Sequence, residues 1–267
     1  MCRRTVMNEI IPAKLHLGDK TLLSDVIPAG TAGIGDWAYA HCSSLKWLAM
    51  PVSVQDIGKE VFIGCPGLKH IFVYDTPEFT AGSLPDDKDA PVYMASRLNA
   101  LAMQEFSDPL KALICGAGNR SLNRWDEECL KYLSVPDEHG FDPFLAGGEE
   151  DYGDHDDQLK QHIHVRRLCK ANIIYTRLLS NITAGFPLSP EAESVYLALF
   201  RENPAAIALL DEIGSHYTQA ADIYAKAGLL TTEALPSILS SLKPDRIEIR
   251  SALIGRERDS VLSSLAL

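Results

Sequence analysis

The sequence predicts an α+β chain: a short solenoid of stacked units at the N-terminus, then an all-α helical-hairpin domain. Three observations lead there. A motif recurs at a spacing of 23 residues in the first third of the chain. The rest carries apolar residues at helical spacing. A polar, turn-rich stretch from Gly82 to Asp89 separates the two.

The repeat comes first. Ile34-Gly35, Tyr39, Cys42, Leu45-Lys46, Leu48 and Met50 return as Ile57-Gly58, Phe62, Cys65, Leu68-Lys69, Ile71 and Val73. A fixed period of this size marks units that each cover a neighbour's apolar side. The spacing L-x-x-L-x-L occurs twice, at Leu45, Leu48, Met50 and at Leu68, Ile71, Val73, within the leucine-rich-repeat range. A weaker unit precedes them at Ile11, Leu22 and Ile27. Residues 1–80 are therefore expected to form a leucine-rich-repeat domain of roughly three units, near the minimum for such an array. So short a stack needs caps at its ends, and the helical region is the expected cap.

Residues 81–267 are expected to be helical, interrupted by an acidic loop near 137–158. Met94, Leu98, Leu101 and Ala102 give the first helix, after Pro91. Gly116-Ala117-Gly118-Asn119 reads as a helix stop. Trp125, Cys129, Tyr132 and Leu133 give the next helix, and Leu168, Ala171, Tyr175, Leu178 and Ile182 a long apolar stripe. Ser189-Pro190-Glu191 combines a hydroxyl cap, proline at the first helical position and an acid in the first turn. Val195, Tyr196, Leu199 and Phe200 are expected to face its core. Asn203-Pro204 restarts a helix that Gly214 ends, Ser215 begins the next and Gly228 ends it. Asp245 with Glu248 suits a capping box before the last helix.

The chain has 267 residues, 46% apolar, with a formal net charge of −11. Residues 1–80 carry 7 basic against 8 acidic side chains, so the excess lies in the remainder. An acidic surface repels phosphate backbones, which argues against nucleic acid as a partner. No apolar run is long enough for a membrane-spanning helix, so no membrane insertion is expected. The opening residues lack the uninterrupted apolar run of a secretory signal. The expected compartment is the cytoplasm, or the cell surface if a leader has been removed. Six cysteines include no C-x-x-C pair. Cys42 and Cys65 share a repeat position and read as buried thiols, with a disulfide between them as the alternative.

The strings Ile34-Gly35-Asp36-Trp37-Ala38-Tyr39-Ala40-His41-Cys42 and Ile57-Gly58-Lys59-Glu60-Val61-Phe62-Ile63-Gly64-Cys65, with Met50-Pro51-Val52-Ser53-Val54 between them, resemble the BspA-like leucine-rich repeats of bacteria. Tyr39 stands for a phenylalanine of that unit and Val61 for an alanine. The likeness covers about residues 27–74. The helical region, through Phe186-Pro187-Leu188-Ser189-Pro190-Glu191-Ala192 and Lys226-Ala227-Gly228-Leu229-Leu230-Thr231, is similar to one that follows such repeats in some bacterial proteins. The resemblance implies recognition of another protein or ligand and brings no catalytic residue.

In such a repeat the positions between the leucines line the strand face. They are Lys46, Trp47 and Ala49, then Lys69, His70 and Phe72; Lys46, Trp47, Lys69, His70 and Phe72 are the candidate partner-binding residues, with an aromatic ledge suited to hot-spot contact. The expected function is a non-catalytic protein–protein interaction module. The alternatives are a structural adaptor that binds through its helical hairpins, and a hydrolase with an interdomain pocket. No cofactor or metal is expected. The acidic loop lacks the EF-hand spacing. His155, His162, His164 and Cys169 do not complete a zinc set. Cys42 beside His41 and the scattered Ser, His and Asp residues lack a catalytic pattern.

Overall fold

In the computed structural model, the structure describes residues 9–76, 79–84, 86–88, 90–115, 122–141 and 154–265. The expected Gly116–Asn119 helix stop and residues 142–153 of the expected acidic loop lie outside them. The chain divides into two compact units, residues 1–134 and 135–267.

The first unit holds six strands. Strands β1 (Glu9–Ile11), β3 (Thr31–Ile34) and β5 (Asp56–Ile57) form one parallel sheet in that order. Strands β2 (Ser24–Val26), β4 (Trp47–Pro51) and β6 (His70–Tyr74) form a second. Ser24 pairs with Trp47 and Trp47 with His70, while Ile34 pairs with Ile57. Each offset equals the sequence period, so the recurrence encodes parallel register.

The leucine-rich-repeat solenoid expected from the sequence is not formed. The chain is α+β with two small parallel three-stranded sheets and, among the described residues, eight helices. The strands are few and short, from two to five residues. Each recurrence contributes a strand to both sheets rather than one strand to a single long sheet. The helices are not all gathered in one hairpin domain either. Helices α1 (Pro91–Glu105), α2 (Pro109–Ala112) and α3 (Leu122–Ser134) belong to the first unit, and α1 packs on β6.

Three turns, residues 12–18, 35–41 and 58–64, pair row on row. The amides of Lys14, His16 and Gly18 donate to the carbonyls of Asp36, Ala38 and Ala40 at 3.0, 2.8 and 2.8 Å. Those of Trp37, Tyr39 and His41 donate to Lys59, Val61 and Ile63 at 2.9, 3.1 and 2.7 Å. The Ile-Gly motif follows from this closeness. A Cβ on Gly35 would lie 2.5 Å from the amide nitrogen of Ala13, and one on Gly58 2.5 Å from that of Asp36. Ile27, Ile34, Tyr39, Leu45, Leu48, Met50, Leu68 and Ile71 fill the space between the sheets.

Asn99 joins α1 to this core. Its Nδ2 donates to the carbonyls of Ile71 and Ile114, each at 3.0 Å, and its Oδ1 accepts from the Ile114 amide at 2.5 Å. Gln104 Nε2 donates to the Leu68 carbonyl at 3.0 Å. Trp125 is fully buried, with Nε1 donating to the Leu98 carbonyl at 3.0 Å.

The second unit contains α4 (Asp154–Thr183), α5 (Pro190–Glu202), α6 (Tyr217–Lys226), α7 (Leu235–Ser241) and α8 (Ile247–Leu265). Ser189 caps α5 as expected, accepting from the Ala192 amide at 3.1 Å. Tyr196 and Phe200 face the core, but Val195 is exposed. Residues after Asn203 form a turn and a short 3-10 segment, Ala208–Asp211, in place of the expected helix. Arg177 is fully buried in α4. It donates to the carbonyls of Phe186 and Pro187 at 2.9 and 3.1 Å and so fixes the loop that leaves the helix. Asp137, within the expected acidic loop, is held by Arg167 and Lys170 at 2.7 Å each. No helix among the described residues is long and apolar enough to cross a membrane.

Candidate functional site

Register places Trp47 beside His70, as neighbours on β4 and β6. Phe72 lies next to both. Its ring meets Trp47 edge-on at 6.0 Å and stacks on His70 at 5.8 Å. Lys46 and Lys69 precede these strands and are exposed, while Trp47 and His70 are half-buried.

Phe72 itself is buried. Tyr93, in the first turn of α1, packs edge-on against His70 at 5.6 Å and Phe72 at 5.3 Å. Phe79, Leu84 and Val92 pack against the same patch. Ser96 Oγ lies 2.8 Å from His70 Nδ1. Burial, helped by the positive charge of Arg97, pulls the His70 pKa down to about 4. The ring is therefore neutral at physiological pH. The ledge is thus largely roofed by α1 and the segment before it.

The open surface lies elsewhere in the first unit. A groove of about 810 Å3 runs between the third turn, residues 57–66, and the end of α1 with the start of α2, residues 103–110. Glu60, Phe62 and Gly64 occupy the positions that donate in both earlier turns. No turn follows the third, and among the described residues these three amides have no acceptor. They line the groove, together with Ile63, Met103 and Leu110. Ile63 is 46% exposed, so the groove offers apolar contact area. Glu60 Oε2 accepts from Trp37 Nε1 at 2.8 Å, and Asp108 pairs with Lys111 at 2.6 Å. Sequence reasoning missed Glu60, Phe62 and Gly64. The signal was present: a last row in a paired series must leave its donors unmet.

Cys42 and Cys65 are buried, and each thiol donates to a carbonyl of the preceding row, His16 and Tyr39, at 3.0 Å. They are not joined as a disulfide. Burial raises both thiols above their ordinary range, which suppresses the nucleophilic thiolate. His41 is exposed while the Cys42 thiol faces His16. Tyr39 donates to Asp25 at 2.6 Å, and burial with that carboxylate raises its hydroxyl pKa. Among the described residues no group of three or more His, Cys, Asp or Glu is placed to hold a metal ion. Asp151 and the side chains of Asp154 and His155 lie outside the described residues, and His162 Nε2 lies 3.3 Å from the His139 carbonyl.

Compared with protein-family models, curated proteins and solved structures, the chain gives no significant match.

Proposed function

We propose that the chain is a non-catalytic module that binds another protein. The observation that carries this reading is the groove walled by three unmet backbone donors. Glu60 and Gly64 are exposed and Phe62 is buried, so the row is an open edge of unpaired backbone donors, and such an edge beside apolar surface suits a ligand that supplies acceptors. Lys46, Trp47, Lys69 and His70 add partly exposed surface at β4 and β6, and Phe72 supports that surface from within.

The test is site-specific photo-crosslinking with the full chain in its source cell. A photoreactive residue at Ile63 is expected to yield a discrete protein adduct. One at Lys46 reports on the strand face, and one at Val195 on the helical alternative. An adduct only at Val195 would move the function to the second unit, and no adduct at any position would end the proposal.

A further inference from the structure

We infer that the first row, from β1 through its turn to β2, is a built end of the stack that turns away a second copy of this chain. The contact it turns away is specific. The unmet amides of Glu60, Phe62 and Gly64 match in spacing the carbonyls of Ala13, Leu15 and Leu17, which no amide meets among the described residues. Those carbonyls hold the positions at which Asp36, Ala38 and Ala40, then Lys59, Val61 and Ile63, accept. The bends match as well: Lys14, Trp37 and Glu60 are left-handed, as are Gly18, His41 and Gly64. The first turn of one chain therefore complements the third turn of another, and such head-to-tail pairing would repeat without closing.

Three repeat positions change in the first row, and each change removes the need for a row before it. Gly35 and Gly58 donate to the carbonyls of Ile11 and Ile34 in the preceding row, each at 2.8 Å, across an approach too close for a side chain. Their counterpart is Pro12, which has no amide hydrogen and places ring carbons at that approach. Cys42 and Cys65 each donate a thiol to the preceding row. Their counterpart is Asp19, whose carboxylate accepts from the Thr21 and Leu22 amides of its own row at 2.8 and 3.2 Å. Leu48 and Ile71 are fully buried, and register aligns them with Asp25. Asp25 accepts from the Val26 amide at 2.8 Å and from the Tyr39 hydroxyl at 2.6 Å. Val26 corresponds to Ala49, whose carbonyl accepts from Ile27 in the row before, so the Val26 amide faces outward.

The outward donors of this row are thus missing or met from within, and a carboxylate stands where later rows carry core. These are the devices of a protected edge and of a terminal repeat. Leu15 and Leu17 remain 50% and 46% exposed, so it is the missing donors and the proline, not a polar turn, that refuse a neighbour. At the other end of the stack α1 does the same work. Asn99 and Gln104 occupy the carbonyls of Ile71 and Leu68, and the place beyond β6 is filled.

The test is sedimentation velocity of the full chain over a wide concentration range. The wild type is expected to remain a monomer throughout. Pro12→Gly with Asp19→Ala alters no buried side chain and opens the amides at positions 12, 21 and 22. It is expected to self-associate as concentration rises, with native Trp125 fluorescence and with those amides protected from hydrogen exchange in the associated form. Adding Asp25→Leu and Tyr39→Phe, which converts the row fully, should strengthen that association. A folded double variant that stays monomeric overturns the inference, and it decides alone if the fourfold variant does not fold. Wild-type chains that self-associate and crosslink to one another through a photoreactive residue at Leu17 also overturn it. The Ile63 adduct of the binding reading does not depend on this end, so the two readings fail separately.

Discussion

His70 shows how a side chain placed for contact becomes a structural liability. In the unfolded chain it titrates near its ordinary value of 6.5, and in the fold near 4. The unfolded state therefore takes up the proton first as pH falls. The stability contributed by neutral His70 is fully present above about 6.5 and is lost progressively toward 4. Thermal unfolding followed between pH 7 and pH 4 should show a falling midpoint, and His70→Gln should flatten that slope. Asn99 is the second residue on which the first unit depends. Asn99→Ala leaves two carbonyls and one amide in the core without partners, and should cost about 3 kcal/mol in denaturant unfolding. Neither role was legible in the sequence. Asn99 lies outside the Met94, Leu98, Leu101 and Ala102 stripe and belongs to no motif, and the roof over Phe72 depends on Tyr93 arriving from another element.

At the scale of elements, the period was legible and its meaning only partly so. The recurrence reports the pairing of β2, β4 and β6 because those segments carry the large apolar residues. It marks β1, β3 and β5 only by Ile11, Ile34 and Ile57, one residue in strands two to four residues long. So thin a mark is why one sheet was expected where two exist. The glycines of the Ile-Gly motif are the clearest trace of the missing sheet, since they are needed where one row approaches the next. Gly58→Ala should destabilise the first unit by about 1–3 kcal/mol through overpacking. Gly255→Ala, inside α8 with nothing within 4 Å of the added carbon, should stabilise by roughly 0.5–1 kcal/mol. Opposite signs in chemical denaturation check the pair. The helices were easier to read where caps and stripes coincide, as at Ser189. Val195 and Ile182 lie on expected apolar faces yet are exposed, because apolar spacing does not say how wide a face its neighbours cover.

For the whole molecule, the chain divides into two compact units, residues 1–134 and 135–267. Arg177 illustrates the second one: a fully buried guanidinium whose donors close the loop after α4. Arg177→Met should destabilise the second unit by about 2–4 kcal/mol, by stranding the carbonyls of Phe186 and Pro187. Residues 1–134 should keep their own unfolding midpoint in that variant, read from Trp125 fluorescence. A shift of both midpoints together would show that the units unfold as one. The candidate site lies wholly in the first unit, and it was the part least legible in sequence. A groove is defined by what is missing after the last turn, and pattern reading registers what recurs.

Apart from Glu9 with Thr31, where the register shifts, the paired strands share one offset, which makes this part of the first unit arithmetically strict. Splicing in another copy of residues 35–57 would leave each later pair in phase. Adding a single residue there would turn every downstream side chain to the wrong face, so length changes in this region should be tolerated only in whole multiples of the unit.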